Sequence, residues 1–198
     1  MAVRKRDALT VTEQARRAQI VHAAIDTIAE TDYARASFTA IARRAGLSST
    51  GMISYHFAGK QDLIDEVMRT VLADFTDFVV ARSAADTAAG RLAAFIVANN
   101  EFLREHRNHL VAMLRIQTAA PDSENAGILA ASDRAKLADL LASGQRAGEF
   151  RDFDTDMMAG FILSLRNGVI ARTAAEPGFD LATCTSELLT AIRSATEV

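Results

Sequence analysis

The sequence predicts an all-α fold: an N-terminal three-helix bundle with a helix-turn-helix, then a larger C-terminal helical domain. Three observations predict the helices. Apolar residues recur at i, i+3 and i+4 along most of the chain, the spacing that lines one side of an α-helix. Alanine, the best helix former, is abundant within an apolar fraction of 49%. Only two prolines, Pro121 and Pro177, break the chain. No alternating strand pattern competes with the helical one.

The elements follow in order. Thr10-Val11-Thr12-Glu13 has capping-box spacing, and Val21, Ala24, Ile25 and Ile28 then mark a helix over about 11–30. Ser37 starts a short helix with Phe38, Ile41, Ala42 and Ala45 on one face. Gly46 stands where a helix end favours positive φ, and Leu47 plugs the turn. Ser48 or Ser49 caps a second short helix holding Met52, Ile53 and Phe57, which Gly59 ends. From Lys60 to about Arg82 runs one long amphipathic helix through Leu63, Val67, Val71 and Phe75. Further helices are expected over about 87–106, 109–117, 124–147, 157–173 and 181–195, with loops at Pro121 and Pro177-Gly178. These divide into a domain over residues 1–62, with its motif at about 38–57, and a second domain over 63–198.

Composition narrows the class. The single cysteine, Cys184, excludes an internal disulfide and a thiolate-rich zinc site. No signal peptide and no stretch approaching the roughly 18 apolar residues of a membrane span is evident, so a cytoplasmic protein without a membrane partner is expected. Residues 1–60 hold nine Lys/Arg against five Asp/Glu, +4, while the chain as a whole carries −3. A basic end on an acidic body suits a part that meets phosphate, although many proteins that bind no nucleic acid are as asymmetric.

Two short helices joined by a tight turn leave the second protruding. Ile53 and Phe57, one turn apart, define its inner face. Gly51 and Tyr55 then point outward, flanked by Met52 and Ser54, a surface without acidic groups. Ser48, Ser49 and Thr50 stand at the helix start, where hydroxyls reach base edges in a major groove, and Gly51 lets backbone approach closely. Tyr55, His56 and Lys60 can donate to phosphates, with Thr39 and Arg43 as further candidates. Taken alone, such a helix pair is common in all-α proteins, and His56 would be an ordinary surface histidine.

The residue detail resembles the tetracycline-repressor (TetR) family. Phe38-Thr-Ala-Ile-Ala-Arg-Arg-Ala-Gly-Leu-Ser48, Ile53-Ser-Tyr-His-Phe57 and Gly59-Lys60-Gln-Asp-Leu63 carry the likeness, within about residues 12–65. The resemblance implies a three-helix DNA-binding domain and an all-α domain that dimerises and binds a small effector. It also implies backbone contacts from His56 and Lys60. The chain departs from the family pattern twice. It is one residue longer between Gly46 and Phe57, which leaves the base-reading position open within Ser48 to Gly51. Ser54 replaces the usual aromatic after Ile53, which moves a phosphate contact to Tyr55.

Arg4-Lys5-Arg6 could reach a minor groove, or form a solvated tail. The helix at 157–173 is apolar on most sides, so one face can serve the subunit and another a two-fold bundle. Met157, Phe161, Leu165 and Ile170, with Leu188 and Ile192 from the last helix, are the expected dimer contacts; a monomer with a central core helix is the alternative. Asn99, on an apolar face, is a candidate ligand contact, as are Gln117, Arg166 and Asn167; each could equally make a structural hydrogen bond. His106 and His109 beside Glu105 have metal-ligand spacing without a third or fourth ligand, so neither a metal nor another cofactor is expected. The function these features predict is a sequence-specific transcriptional regulator, a repressor released from a palindromic double-stranded operator by a small-molecule effector. The alternative is a ligand-binding or catalytic helical bundle, for which no catalytic motif or catalytic residue is found.

Overall fold

The computed structural model describes residues 10–82, 84–119, 124–176 and 178–198, and for 124–131 only the backbone. Arg4, Lys5, Arg6, Pro121 and Pro177 lie outside the described residues. The described chain is helical and holds no strand. Its elements are α1 (Val11–Glu30), α2 (Phe38–Arg44), α3 (Gly51–His56), α4 (Lys60–Val80), α5 (Ala88–Glu105), α6 (Arg107–Ala119), α7 (Glu124–Arg146), α8 (Thr155–Ala175) and α9 (Leu181–Thr196).

Local chemistry explains where the helices begin and stop. Thr10 and Glu13 form the reciprocal capping box, satisfying two N–H groups at the start of α1. Ser37 accepts from the Ala40 N–H at the start of α2. Thr87, Asp154 and Asp180 do the same for α5, α8 and α9. Gly46 adopts φ +65° after α2, the left-handed conformation that ends the helix and turns the chain toward α3. One capping expectation fails: neither Ser48 nor Ser49 caps α3. Its N-cap is Thr50, which is itself in helical conformation and makes no side-chain cap bond. Helix α3 therefore starts at Gly51, later than a cap at Ser48 or Ser49 would place it.

Packing ties the helices into two apolar clusters. The first runs through Ile20, Ile25 and Ile28 of α1, Ile41, Ile53 and Phe57 of the short helices, Leu63, Val67 and Val71 of α4, and Leu110 and Ile116 of α6. The second joins Leu92 and Ile96 of α5 to Leu137, Leu141, Phe150, Ile162 and Ile192. α1 lies along α6, and polar side chains lock the pair. Asn108 Nδ2 donates to Asp26 Oδ1 at 2.8 Å, and Arg115 donates to the Ile28 carbonyl at 3.1 Å. The N-terminal bundle is therefore joined to the rest through α6 as well as through the continuous helix α4.

Helix α8 divides its apolar residues between two surroundings. Ile162, Val169 and Ile170 face inward. Met157, Phe161 and Leu165, spaced one turn apart, are 55%, 58% and 47% exposed. Ile170 and Ile192, expected at a dimer contact, are buried in the subunit interior. Leu188 is half-buried and packs against both clusters. Periodicity could not separate the two faces of α8 because both are apolar. Among the described residues no helix is long and apolar enough to cross a membrane.

Candidate nucleic-acid interface

Helix α3 has six residues, too few to hold helical structure unaided. Its position comes from what anchors it. Ile53 and Phe57 are completely or almost completely buried, which fixes the inner face as their spacing requires. The residues around these two are turned outward: Ser48, Ser49, Gly51, Met52, Ser54 and Tyr55 are exposed, while Thr50 and His56 are half-buried. Thr39 and Arg43 of α2 are exposed beside them.

A cation clamps the C-terminal end of α3. Arg17 of α1 donates to the His56 carbonyl at 2.7 Å and to Glu66 Oε2 of α4 at 2.5 Å, with its guanidinium 4.2 Å from the Phe57 ring centre. Glu66 also receives Arg69 at 2.5 Å. Burial pushes the Glu66 carboxyl up, but these two arginines outweigh it and hold the group below the usual range. Gln19 closes the other side, donating to the Ala45 carbonyl at the end of α2. Neither Arg17 nor Gln19 was visible as a site residue in the sequence. Their partners lie 39 and 26 residues away, and no local motif links them.

Two expected phosphate donors have partners within the subunit. Lys60 donates to the Tyr33 carbonyl at 2.8 Å and sits over the Tyr33 ring, and burial lowers its pKa. Tyr55 is 72% exposed and its hydroxyl donates to Glu13 at 3.2 Å. Its ring meets His56 edge-on at 5.0 Å. Arg43 has no ion-pair partner among the described residues; its neighbour Arg44 is held by Glu30 and Asp26. The exposed ridge therefore offers hydroxyls, a glycine, a phenol edge and one uncommitted guanidinium, a set suited to base edges and phosphates rather than to bond-making chemistry.

The candidate ligand residues separate. Gln117, Arg166 and Asn167 line one cavity of about 620 Å³ between α6, α7 and α8. Asn99 is not part of it. Asn99 is buried on α5 and donates to the Phe95 carbonyl of its own helix at 2.7 Å, while its Oδ1 lacks a partner among the described residues. His106 and His109 do not complete a metal site, and no group of three or more ligating side chains is gathered among the described residues. His109 instead faces Asp74 of α4 at 3.5 Å and His22 of α1 at 6.1 Å between ring centres.

Comparison with known proteins identifies relatives of the chain and of its fold. Residues 20–67 match the profile described as bacterial regulatory proteins, tetR family, and residues 85–171 match a tetracyclin repressor-like C-terminal domain. The chain is 30% identical over 163 residues to the HTH-type transcriptional regulator BetI of Cronobacter sakazakii, covering 80% of this chain and 79% of that one. It is 35% identical over 96 residues to BetI 1 of Chromohalobacter salexigens, where the match spans about half of each chain, 48% and 47%. The fold is shared with a TetR-family regulator from a Rhodococcus species, with a TM-score of 0.80 at 22% identity over 91% of this chain and 98% of that one. It is also shared with a regulator from Saccharomonospora viridis solved in complex with choline, with a TM-score of 0.77 at 22% identity over 93% and 99%.

Proposed function

The chain belongs to the tetR family of bacterial regulatory proteins, and from that premise we propose that it is a cytoplasmic, sequence-specific DNA-binding regulator without enzymatic activity. It acts as a repressor that leaves a palindromic operator when a small molecule occupies its C-terminal domain. The observation that carries this reading is the anchored, outward-facing ridge of α3, with Ile53 and Phe57 buried beneath it. Ser48 to Gly51 are the base-reading segment, and Ser54, Tyr55 and His56 with Thr39, Arg43 and Lys60 serve the phosphates. Lys60 is the weakest donor of this set, because Tyr33 already engages it.

A single ridge of this size reads too little sequence for strong discrimination, so two copies are required on neighbouring half-sites. The stripe of Met157, Phe161 and Leu165 is the surface proposed to form the homodimer. The effector shifts DNA affinity by a coupling of about 1–3 kcal/mol. The domain boundary near residue 62 falls in the first turn of α4, so that helix belongs mechanically to both parts.

The experiment is footprinting on genomic fragments selected for binding, repeated with Tyr55→Ala/His56→Ala. The proposal expects a protected inverted repeat, loss of protection in the double variant, and unchanged thermal stability. Equal affinity for random duplex at physiological salt would end the claim of sequence specificity. Retained protection in the double variant would shift the interface away from α3.

A further inference from the structure

Arg166 is the only charged side chain among the buried residues of the described chain. A buried guanidinium is costly unless charge-assisted bonds satisfy it, and such bonds normally close to about 2.7–2.9 Å. None that Arg166 makes with the described residues is that short. Nη1 faces Asp133 Oδ2 at 3.3 Å, and Nε and Nη2 both reach the single Oδ1 of Asn167 at 3.4 Å. The Nε/Nη2 edge is one that a carboxylate engages with two parallel bonds. Here one neutral oxygen spans both donors at the outer limit of hydrogen bonding.

Arg166 and Asn167 line the cavity of about 620 Å³ together with Gln117, Arg134, Asp156 and Ser164. Arg134 and Asp156 satisfy each other through two bonds at 2.7 and 2.6 Å. Asp133 does not line this cavity; it lines the neighbouring groove, beside Phe75 of α4 and Phe95 of α5. Among the described lining residues stand two guanidiniums, Arg134 and Arg166, and one carboxylate, Asp156, with Asp133 meeting Arg166 from outside the cavity; the cation with the long bonds is the buried one. Among the described lining residues no side chain is aromatic, whereas quaternary ammonium ligands are commonly held by aromatic faces.

We propose that this cavity takes a small organic carboxylate, gripped by the Nε/Nη2 edge of Arg166, with the Gln117 and Asn167 amides as neutral partners. This names the ligand class for the effector reading above and rests on it. The volume falls within the range of small-molecule sites, roughly 300–1,000 Å³. Occupancy also has a mechanical consequence. Arg166–Asp133 ties α8 to α7, and a carboxylate that draws the guanidinium toward itself releases Asp133 beside α4 and α5.

The test is thermal unfolding and calorimetric titration of the full chain with benzoate, hexanoate and glutarate. Benzamide and hexanamide serve as neutral isosteres and choline as a cation, and operator retention is measured in parallel. At least one carboxylate should raise the unfolding midpoint while its amide does not. Arg166→Lys, which keeps the charge and loses the fork, should weaken binding about tenfold or more. If Arg166→Lys fails to fold, Asn167→Leu and Gln117→Leu, at half-buried positions, should each weaken it several-fold. Binding of choline or the amides but of no carboxylate overturns the ligand class and leaves the effector reading standing. Carboxylate binding that tolerates these substitutions overturns the site. Carboxylate binding that needs Arg166 but never releases DNA upholds the site and overturns the effector reading. No binding by any probe, with no release of DNA, overturns both.

Discussion

Arg17→Ala separates holding the fold from aiming the recognition helix. The substitution removes a charge-assisted bond to the His56 carbonyl, the link to Glu66 and the contact with the Phe57 ring. Arg17 and Glu66 are 24% and 22% exposed, so solvent discounts the ion pair to about 1 kcal/mol or less. The bond to the carbonyl contributes about 1.5 kcal/mol and the ring contact about 0.5 kcal/mol. The three share one side chain and do not add fully. The expected loss is about 2 kcal/mol in urea denaturation. Helix α3 is six residues long and cannot compensate by its own stability. If most of that loss loosens the orientation of α3, affinity for a selected operator should fall about tenfold or more, since about 1.4 kcal/mol is a factor of ten. The assay is fluorescence anisotropy on a labelled duplex, at a temperature where circular dichroism shows the variant folded. Affinity within twofold of the parent, alongside the full stability loss, would refute the claim that Arg17 positions the reading surface.

Three further substitutions and conditions have defined outcomes. Burial holds the His109 pKa below 6.5 despite Asp74, with His106 and His22 adding to the depression and Asp26 opposing it. A folded pKa below the unfolded one gives stability that is present above pH 6.5 and lost as pH falls through the folded value. Unfolding midpoints should therefore decline on acidification from neutral pH, and His109→Gln should flatten that decline; an unchanged slope would exclude His109 as its source. Asn99→Leu removes a buried oxygen that has no partner among the described residues, so chemical denaturation should show a gain of about 1 kcal/mol, whereas a loss would mean that the oxygen is engaged in solution. Phe161→Asp puts a charge in the middle of the exposed stripe of α8; sedimentation should turn a dimer into a monomer, and an unaltered dimer would place the contact elsewhere.

What could be read from the sequence was what neighbouring residues decide. The capping box at Thr10, the cap at Ser37, the positive φ of Gly46 and the inner face at Ile53 and Phe57 all depend on residues within about four positions. Local signals of this kind carry the helix order and the outward ridge. The clamp of Arg17 on His56 and Glu66, and the approach of Arg166 to Asp133 across 33 residues, depend on helix packing and leave no local trace. The same limit explains α8. Its periodicity shows that both faces are apolar, but only packing decides that Ile170 turns inward and Phe161 outward.

Packing also restricts how a signal can cross from the cavity to α3. Helix α4 alone is a poor lever. Near its start Glu66 is bound to Arg17, which holds α1 and the end of α3 together. A tilt of α4 against a fixed α1 would break that clamp and loosen the reading surface instead of moving it. Helix α6 offers the complementary handle, because Asn108 and Arg115 bind Asp26 and the Ile28 carbonyl near the far end of α1. Gln117 belongs to the same helix and lines the Arg166 cavity. A shift of α6 would carry α1, and with it α2, α3 and the start of α4, as one body. This path preserves every bond around Arg17 and changes the separation of the two ridges in a dimer. On the proposed function, the clamp at Arg17 and the α1–α6 bonds thus take opposite roles: the first holds α1, α3 and α4 together as a unit, and the second is the route by which a ligand in the proposed cavity would move that unit.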